Sequence, residues 1–258
     1  MQPLFPAGVG FFAGSTVAYL ASLWSPKPAL LKVAHALLLV TVLLWIGILI
    51  SSLPHVAESG VVRFWLGGSA VGLSTLYLIL SRKYPIGGLG SFVSALATLM
   101  AVFALFSHPG QPPADPNVVD ILLRVHIALA FIGVTAFAFS TAVSGVFLMQ
   151  ARMLKQKART ELRRRLPPLG VLDNLALRGI VVGFPFYTVA LLLGSAQAIR
   201  TEHVRGSYLL AVVSWAIYGV VLQARLTAGW RGRRAAILTI VGLLMALTVV
   251  AQYGFGSA

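Results

Sequence analysis

The sequence predicts an all-α protein, a polytopic membrane helix bundle of about eight transmembrane helices. Of its 258 residues, 58% are hydrophobic and only 10% are charged, whereas a soluble domain carries about 25% charged residues. Apolar segments of spanning length recur along the whole chain, and basic residues concentrate in every second connection. This composition excludes a soluble globular domain, and its apolar content also excludes a disordered chain.

Eight apolar segments meet or nearly meet the ~20 residues that a bilayer-spanning helix needs. The first is the weakest, because glycine, serine and threonine dilute it. No basic residue precedes it, as a signal peptide would require, so we interpret it as a retained span. Residues 1–258 are therefore predicted to form a single integral membrane domain. The predicted spans are about 7–24, 30–50, 62–80, 86–107, 122–150, 176–198, 207–227 and 235–255.

The distribution of charge predicts the orientation. On the side that holds both termini lie only four of the 20 Lys and Arg residues, namely Arg63, Arg124, Arg200 and Arg205, and the other sixteen lie on the opposite side. Cytoplasmic loops carry the excess of Lys and Arg. Both termini are thus predicted on the outer, periplasmic side of a multi-pass protein of the bacterial inner membrane. Topology accounts for the net charge of +14, so we expect no nucleic acid partner.

The longest inner connection, 151–175, is predicted to begin as a basic helical extension. It should stop at the LPPL segment, residues 166–169, because proline ends a helix. Its cations are expected against the anionic headgroups of the lipid bilayer. The cluster formed by Arg225 and residues 229–234, GWRGRR, has two interpretations. It is a topology anchor, or it is a binding surface for an anionic partner such as a heme propionate or a soluble protein.

Several function classes are excluded or disfavoured. The chain has no cysteine, so it has no disulfide framework, no thiolate metal site and no thiol-disulfide activity of its own. No carboxylate lies within a predicted span, which disfavours a proton- or cation-coupled transporter. No nucleotide-binding glycine motif is present. The glycines at 67–68, 87–90 and 183–194 are interpreted as sites of close helix packing.

The five histidines carry the candidate chemistry. His35 lies early in the second span and His126 early in the fifth, whereas His55, His108 and His203 lie in outer loops. A polar residue in hydrocarbon costs free energy and is usually retained for function, although a neighbouring backbone carbonyl can also satisfy a histidine. Imidazole is a common ligand of heme iron. Zinc is disfavoured, because the sequence contains no HExxH motif and no carboxylate beside the histidines.

Heme fits this composition better than zinc. It needs only one or two imidazoles and a large apolar, aromatic surface, and the chain has 14 Phe, 7 Tyr and 5 Trp. A non-covalent, b-type heme is therefore the candidate cofactor, and His126 is a candidate iron ligand. The other candidate heme-binding residues are His35, His203 and His55. Arg124 is a candidate partner for a propionate, although residues two apart on a helix do not share a face.

Five segments of the chain form a recognisable series, namely RVHIALA at 124–130, LPPL at 166–169, GFPFYT at 183–188, WAIY at 215–218 and ARLTAGWRGRRAA at 224–236. In this order and spacing they resemble a known family, the cytochrome c assembly proteins of the CcsA/HemX-like group. The resemblance covers about residues 120–250 and is strongest in the last two spans. The chain is similar to the short eight-span type, since residues 195–207 contain no tryptophan where heme-presenting members have a tryptophan-rich segment.

The resemblance implies a membrane protein that binds heme and passes it on during c-type cytochrome assembly. His126 matches the histidine that opens a span in the family, and His35 matches an intramembrane histidine. The implied partners are heme, other maturation proteins and the apocytochrome. No catalytic residue is predicted, and the chain is expected to be an assembly or delivery factor rather than a self-sufficient enzyme. The alternative is a scaffold or regulator of heme metabolism that acts through its basic cytoplasmic loops. A solute transporter is the weakest of the three hypotheses.

Overall fold

The computed structural model describes residues 4–25, 28–53, 61–84, 86–107, 121–156, 166–200 and 206–255. Within these ranges the regular structure is entirely helical, and eight helices are long and apolar enough to cross a membrane. The predicted fold class is confirmed. The helices are α1 (Leu4–Trp24), α2 (Pro28–Ser52), α3 (Val61–Lys83), α4 (Gly90–Phe106), α5 (Ile121–Lys155), α6 (Leu169–Arg200), α7 (Gly206–Thr227) and α8 (Arg233–Phe255), with a short 3₁₀ turn at Gly87–Leu89 before α4.

Two helix boundaries differ from the hydropathy pattern by several residues. α6 begins at Leu169 rather than near residue 176, because the amides of Val171 and Leu172 already bond to the carbonyl of Pro168. Its polar first turns dilute the apolar window, yet Leu172 is fully buried there. α5 runs five residues past its predicted end, to Lys155. The rest of the predicted basic extension lies outside the described residues.

The helices pack as two rings of four. In the first ring, α1, α2, α3 and α4 contact one another in order, and α4 closes the ring against α1. In the second ring, α5 to α8 follow the same order, and α8 closes the ring against α5. The α5–α6 pair has the most extensive contact in the molecule. The two rings join where α3 and α4 meet α5 and where α3 meets α8, and one continuous apolar core runs through both.

The connections define two ends of the bundle. The basic end holds the last residues of α1, α3, α5 and α7 and the first residues of α2, α4, α6 and α8, and the opposite end holds the other ends of these helices. An ion pair fixes the basic end of the second ring. The guanidinium of Arg225, at the end of α7, donates to the side chain of Asp173 at 3.0 Å, and the same carboxylate accepts the amide of Gly232 at 3.2 Å. The start of α6, the end of α7 and the α7–α8 connection are thereby held together.

Arg225 therefore differs from the rest of its basic cluster. Its side chain is only 3% exposed, whereas Arg231, Arg233 and Arg234 are exposed. Gly229 and Gly232 have φ angles of +62° and +77°, a region in which glycine is favoured, and these two residues turn the chain between α7 and α8. Three arginines of the cluster are therefore at the surface, whereas Arg225 is buried and paired with Asp173.

At the opposite end, Arg63 performs a similar structural role in the first ring. Its guanidinium donates to the carbonyls of Ala104, Leu105 and Ser107 at the end of α4, at 2.9–3.3 Å. The last carbonyls of a helix have no partner within the helix and carry partial negative charge. This arginine, one of the few cations predicted on the outer side, thus caps a helix.

Candidate functional site

His126 lies at the seam between α5 and α6, near the opposite end of the bundle. It is the sixth residue of α5, it is half-buried, and its Nδ1 is 2.6 Å from the carbonyl oxygen of Ala190 on α6. A carbonyl oxygen only accepts hydrogen bonds, so the Nδ1 atom carries the proton and donates it. The lone pair of the neutral ring is then on Nε2. No hydrogen bond joins that atom to the residues that the structure describes.

This arrangement suits a metal ligand. A metal-binding histidine typically donates its second ring N–H to a carboxylate, a backbone carbonyl or water, which fixes the tautomer and raises the basicity of the ligating nitrogen. In this protein the carbonyl of Ala190 fills that role. His126 is thus held in the tautomer whose lone pair is on Nε2.

Small residues bring α6 close enough to α5 for this contact. A Cβ built on Gly194 would lie 2.8 Å from Cε1 of His126 and 3.2 Å from its Nδ1. Farther along the same seam, a Cβ on Gly183 would lie 2.9 Å from Phe137, and one on Gly179 would overlap Ser140. The glycines between 183 and 194 are therefore sites of close packing, as predicted, and one of them faces the candidate ligand.

His35 has a different environment, at the basic end of the first ring. Its Nδ1 is 2.9 Å from the carbonyl oxygen of Leu31, on the same helix, and its Nε2 is 3.4 Å from the hydroxyl of Tyr77 on α3. The ring also packs on Tyr19, with centroids 5.4 Å apart. Both nitrogens of His35 thus have neighbours, so its geometry favours a structural tie between α2 and α3. Its predicted role as a heme ligand stays a prediction.

The remaining candidates are not brought to His126 by the described structure. Arg124 is exposed on α5, whereas His126 packs against α6. His55 and His203 lie outside the described residues, as does His108. Within the described ranges, no three His, Asp or Glu side chains form a metal-binding group. A second iron ligand is therefore not identified by the geometry.

Two residues of the site carry no signal in the sequence that marks them as functional. Ala190 acts through its backbone carbonyl, which any residue type supplies. Gly194 belongs to a glycine-containing stretch whose ordinary interpretation is helix packing. Only the pairing of α5 with α6, which the sequence does not specify, connects both residues to His126.

Comparison with known proteins decides the family. Residues 56–257 match the family described as Cytochrome C assembly protein. The chain belongs to this family. The matched segment contains α3 to α8, and so includes the whole His126 site. It begins after α2 and leaves His35 outside. With eight helices of spanning length, this member of the cytochrome c assembly family is a multi-pass membrane protein.

The chain is similar to several proteins named cytochrome c biogenesis protein CcsA. It is 30% identical to that of Chlamydomonas reinhardtii over 168 residues, which is 61% of this chain and 46% of the relative. It is 26% identical to that of Prochlorococcus marinus over 216 residues, 68% of this chain and 66% of the relative. The aligned segment thus spans about half to two thirds of the length of these relatives. No solved structure matches the chain.

Proposed function

We propose that this protein binds heme in the membrane and assists c-type cytochrome assembly by holding the heme for a partner or passing it on. One observation carries the proposal. His126 lies in a transmembrane helix with Nδ1 bonded to the carbonyl of Ala190, which leaves the lone pair of Nε2 available. Membership of the cytochrome c assembly family and similarity to proteins named for cytochrome c biogenesis support the same function.

The donor set fits heme better than a metal ion bound directly by the protein. Heme brings four nitrogen ligands to its iron and needs one or two more from the protein, whereas a bare ion needs three or four protein ligands. The described residues offer one such imidazole and no three-residue cluster of His, Asp or Glu. His126 would hold the iron, Ala190 would orient its ring, and His203 or His55 would supply a second ligand. We propose a b-type heme held non-covalently, because the chain has no cysteine to attach heme covalently.

The proposed protein partner is the apocytochrome, together with other maturation proteins. The chain has no cysteine, so the thiols of covalent heme attachment belong to the apocytochrome.

We place the protein in a bacterial inner membrane, with the end that carries His126 on the periplasmic side. The exposed arginines of the basic end support this orientation, because they suit the cytoplasmic leaflet.

Heme titration of the purified protein tests the proposal. We expect the wild-type protein in mild detergent to bind added hemin with a defined Soret band. His126→Ala should lose or shift that band and bind hemin at least about tenfold more weakly, a scale that even outer-shell partners of metal ligands reach. His35→Ala is the comparison variant that separates the two histidine candidates, because both ring nitrogens of His35 already have neighbours in the structure. We expect its spectrum to equal that of the wild type.

Two results would contradict the proposal in different ways. A heme band that is unchanged in His126→Ala would keep heme binding but exclude this ligand. No heme binding by the wild type would favour the alternative of a scaffold or regulator of heme metabolism. That alternative predicts loss of the cellular phenotype when Arg163, Arg164 and Arg165 are replaced, and these residues lie outside the described ranges.

A further inference from the structure

We infer that Gly194 is a positioning residue for His126, because its missing side chain lets the backbone of α6 fix the orientation and tautomer of the imidazole. The expected effect of Gly194 on heme affinity rests on the proposed function, whereas its effect on the His126 ring does not. The structural part of the inference concerns the free protein and can be tested there.

The carbonyl to which His126 bonds lies one helical turn before Gly194 on α6. In an α-helix the carbonyl of residue i faces the amide of residue i+4, so the carbonyl of Ala190 lies beside Gly194. A side chain at position 194 would cover this part of the helix surface. With glycine there, the ring of His126 approaches until its Nδ1 is 2.6 Å from the oxygen of Ala190.

One methyl group added at position 194 would collide with the ring of His126. A Cβ at position 194 would be 2.8 Å from Cε1, 3.2 Å from Nδ1 and 3.6 Å from Nε2 of His126. Real Cβ atoms essentially never approach another heavy atom to under 3.0 Å. Because Cε1 lies between the two ring nitrogens, the displacement moves both of them. The ring must turn away from α6, which lengthens or breaks the hydrogen bond to Ala190 and frees the tautomer.

Gly179, on the same helix, separates an effect on His126 from a general effect on helix packing. A Cβ on Gly179 would overlap Ser140 and lie 3.0 Å from the carbonyl oxygen of Ala136. Gly179→Ala therefore disturbs the same pair of helices through the same chemical change. Gly179 is fifteen residues from Gly194, about 22 Å along the helix, and its near neighbours do not include His126. The two variants are a matched pair that differs in contact with the candidate ligand.

Nitrogen-15 NMR of histidine-labelled protein without heme tests the structural part. At neutral pH we expect the His126 signals, assigned by their loss in His126→Ala, to show the Nδ1-protonated tautomer in the wild type and in Gly179→Ala. In Gly194→Ala we expect them to show a mixture of tautomers. Thermal unfolding of each variant confirms that it is folded. The inference is overturned if Gly194→Ala keeps the wild-type tautomer, or if Gly179→Ala loses it equally.

Hemin titration of the same variants tests the consequence. We expect Gly194→Ala to bind hemin about 10- to 100-fold more weakly, as is typical when an outer-shell partner of a metal ligand is lost, and to shift the Soret band. Gly179→Ala should bind as the wild type does. If the wild type binds no heme while the tautomer still depends on Gly194, the proposed function fails and the positioning role stands. If the wild type binds heme through His126 and the two glycine variants behave alike, the positioning role fails.

Discussion

At the scale of single residues, His126 and His35 are identical side chains whose environments leave different atoms available. Both donate Nδ1–H to a backbone carbonyl, but the acceptor of His126 is on another helix and the acceptor of His35 is one turn away on its own helix. The Nε2 of His35 then faces Tyr77, whereas the Nε2 of His126 has no hydrogen-bond partner among the described residues. This difference makes His126 the stronger candidate for an iron ligand.

The sequence could predict that both histidines lie in spans, because hydropathy alone locates them. It could not distinguish their roles, since the acceptors are backbone carbonyls and Tyr77 is 42 positions from His35. Arg124 illustrates the same limit. Its position two residues before His126 suggested a shared site, but helical geometry leaves it exposed on α5.

Tyr77 and Tyr19 each bury a hydroxyl group in the first ring. Removing these two hydroxyls should change the free energy of unfolding by different amounts. The hydroxyl of Tyr77 lies 3.3 Å from the carbonyl oxygen of Gly87 and 3.4 Å from His35, whereas that of Tyr19 is buried without a partner in the described structure. We expect Tyr77→Phe to lower the free energy of unfolding by about 1 kcal/mol, and Tyr19→Phe to leave it unchanged or raise it. Circular dichroism during unfolding by SDS in mixed micelles measures both. An equal loss in the two variants would contradict this assignment.

At the scale of elements, the start of α6 is fixed by chemistry that hydropathy does not detect. The sequence predicted a stop at the two prolines and placed Asp173 outside the apolar window. In the structure the helix starts directly after Pro168, and Asp173 becomes the acceptor for both Arg225 and Gly232. The sequence also grouped Arg225 with the surface arginines, because charge pairing between residues 52 positions apart depends on which helices meet.

Removing one partner of the Asp173–Arg225 pair should strongly destabilise the second ring. Asp173→Ala leaves the charge of Arg225 buried without its carboxylate, so we expect a loss of about 3 kcal/mol in the free energy of unfolding. This is the lower end of the range for buried pairs, because the Asp173 side chain is 13% exposed. The double variant Asp173→Leu, Arg225→Met should recover most of the loss. SDS unfolding followed by circular dichroism measures both.

The control for this prediction is Arg231→Ala, which removes an exposed arginine of the same cluster. Surface substitutions usually change stability by less than ~0.5 kcal/mol. An Asp173→Ala variant as stable as this control would show that the ion pair contributes little.

At the scale of the whole molecule, two rings of four helices share one apolar core. The eight spans were predicted from hydropathy and charge, and their existence is confirmed. Their arrangement in rings was not predicted, because the apolar faces of different membrane helices have similar compositions. Which helices pack together depends instead on where glycines allow two backbones to approach closely. A Cβ on Gly67, for example, would lie 2.6 Å from a ring carbon of Trp45, which ties α3 to α2 in the first ring.

The predicted orientation of the bundle can be measured directly, because the chain has no cysteine. Arg124→Cys and Arg231→Cys place single thiols at exposed positions near opposite ends. In intact bacteria we expect a membrane-impermeant maleimide to label Arg124→Cys, and to label Arg231→Cys only after permeabilisation, because the excess of basic residues stays in the cytoplasm. The reverse pattern would put His126 near the cytoplasmic surface and contradict the proposed periplasmic heme site.

The most direct test of the central claim is the absorption spectrum of heme bound to His126→Gly, recorded with and without added imidazole. If His126 ligates the iron, the substitution should abolish or shift the Soret band, and imidazole that enters the vacated space beside Ala190 and Gly194 should restore it. His35→Gly should behave as the wild type in both conditions. A His126→Gly spectrum identical to that of the wild type, and unaffected by imidazole, would contradict the account and show that another residue holds the heme.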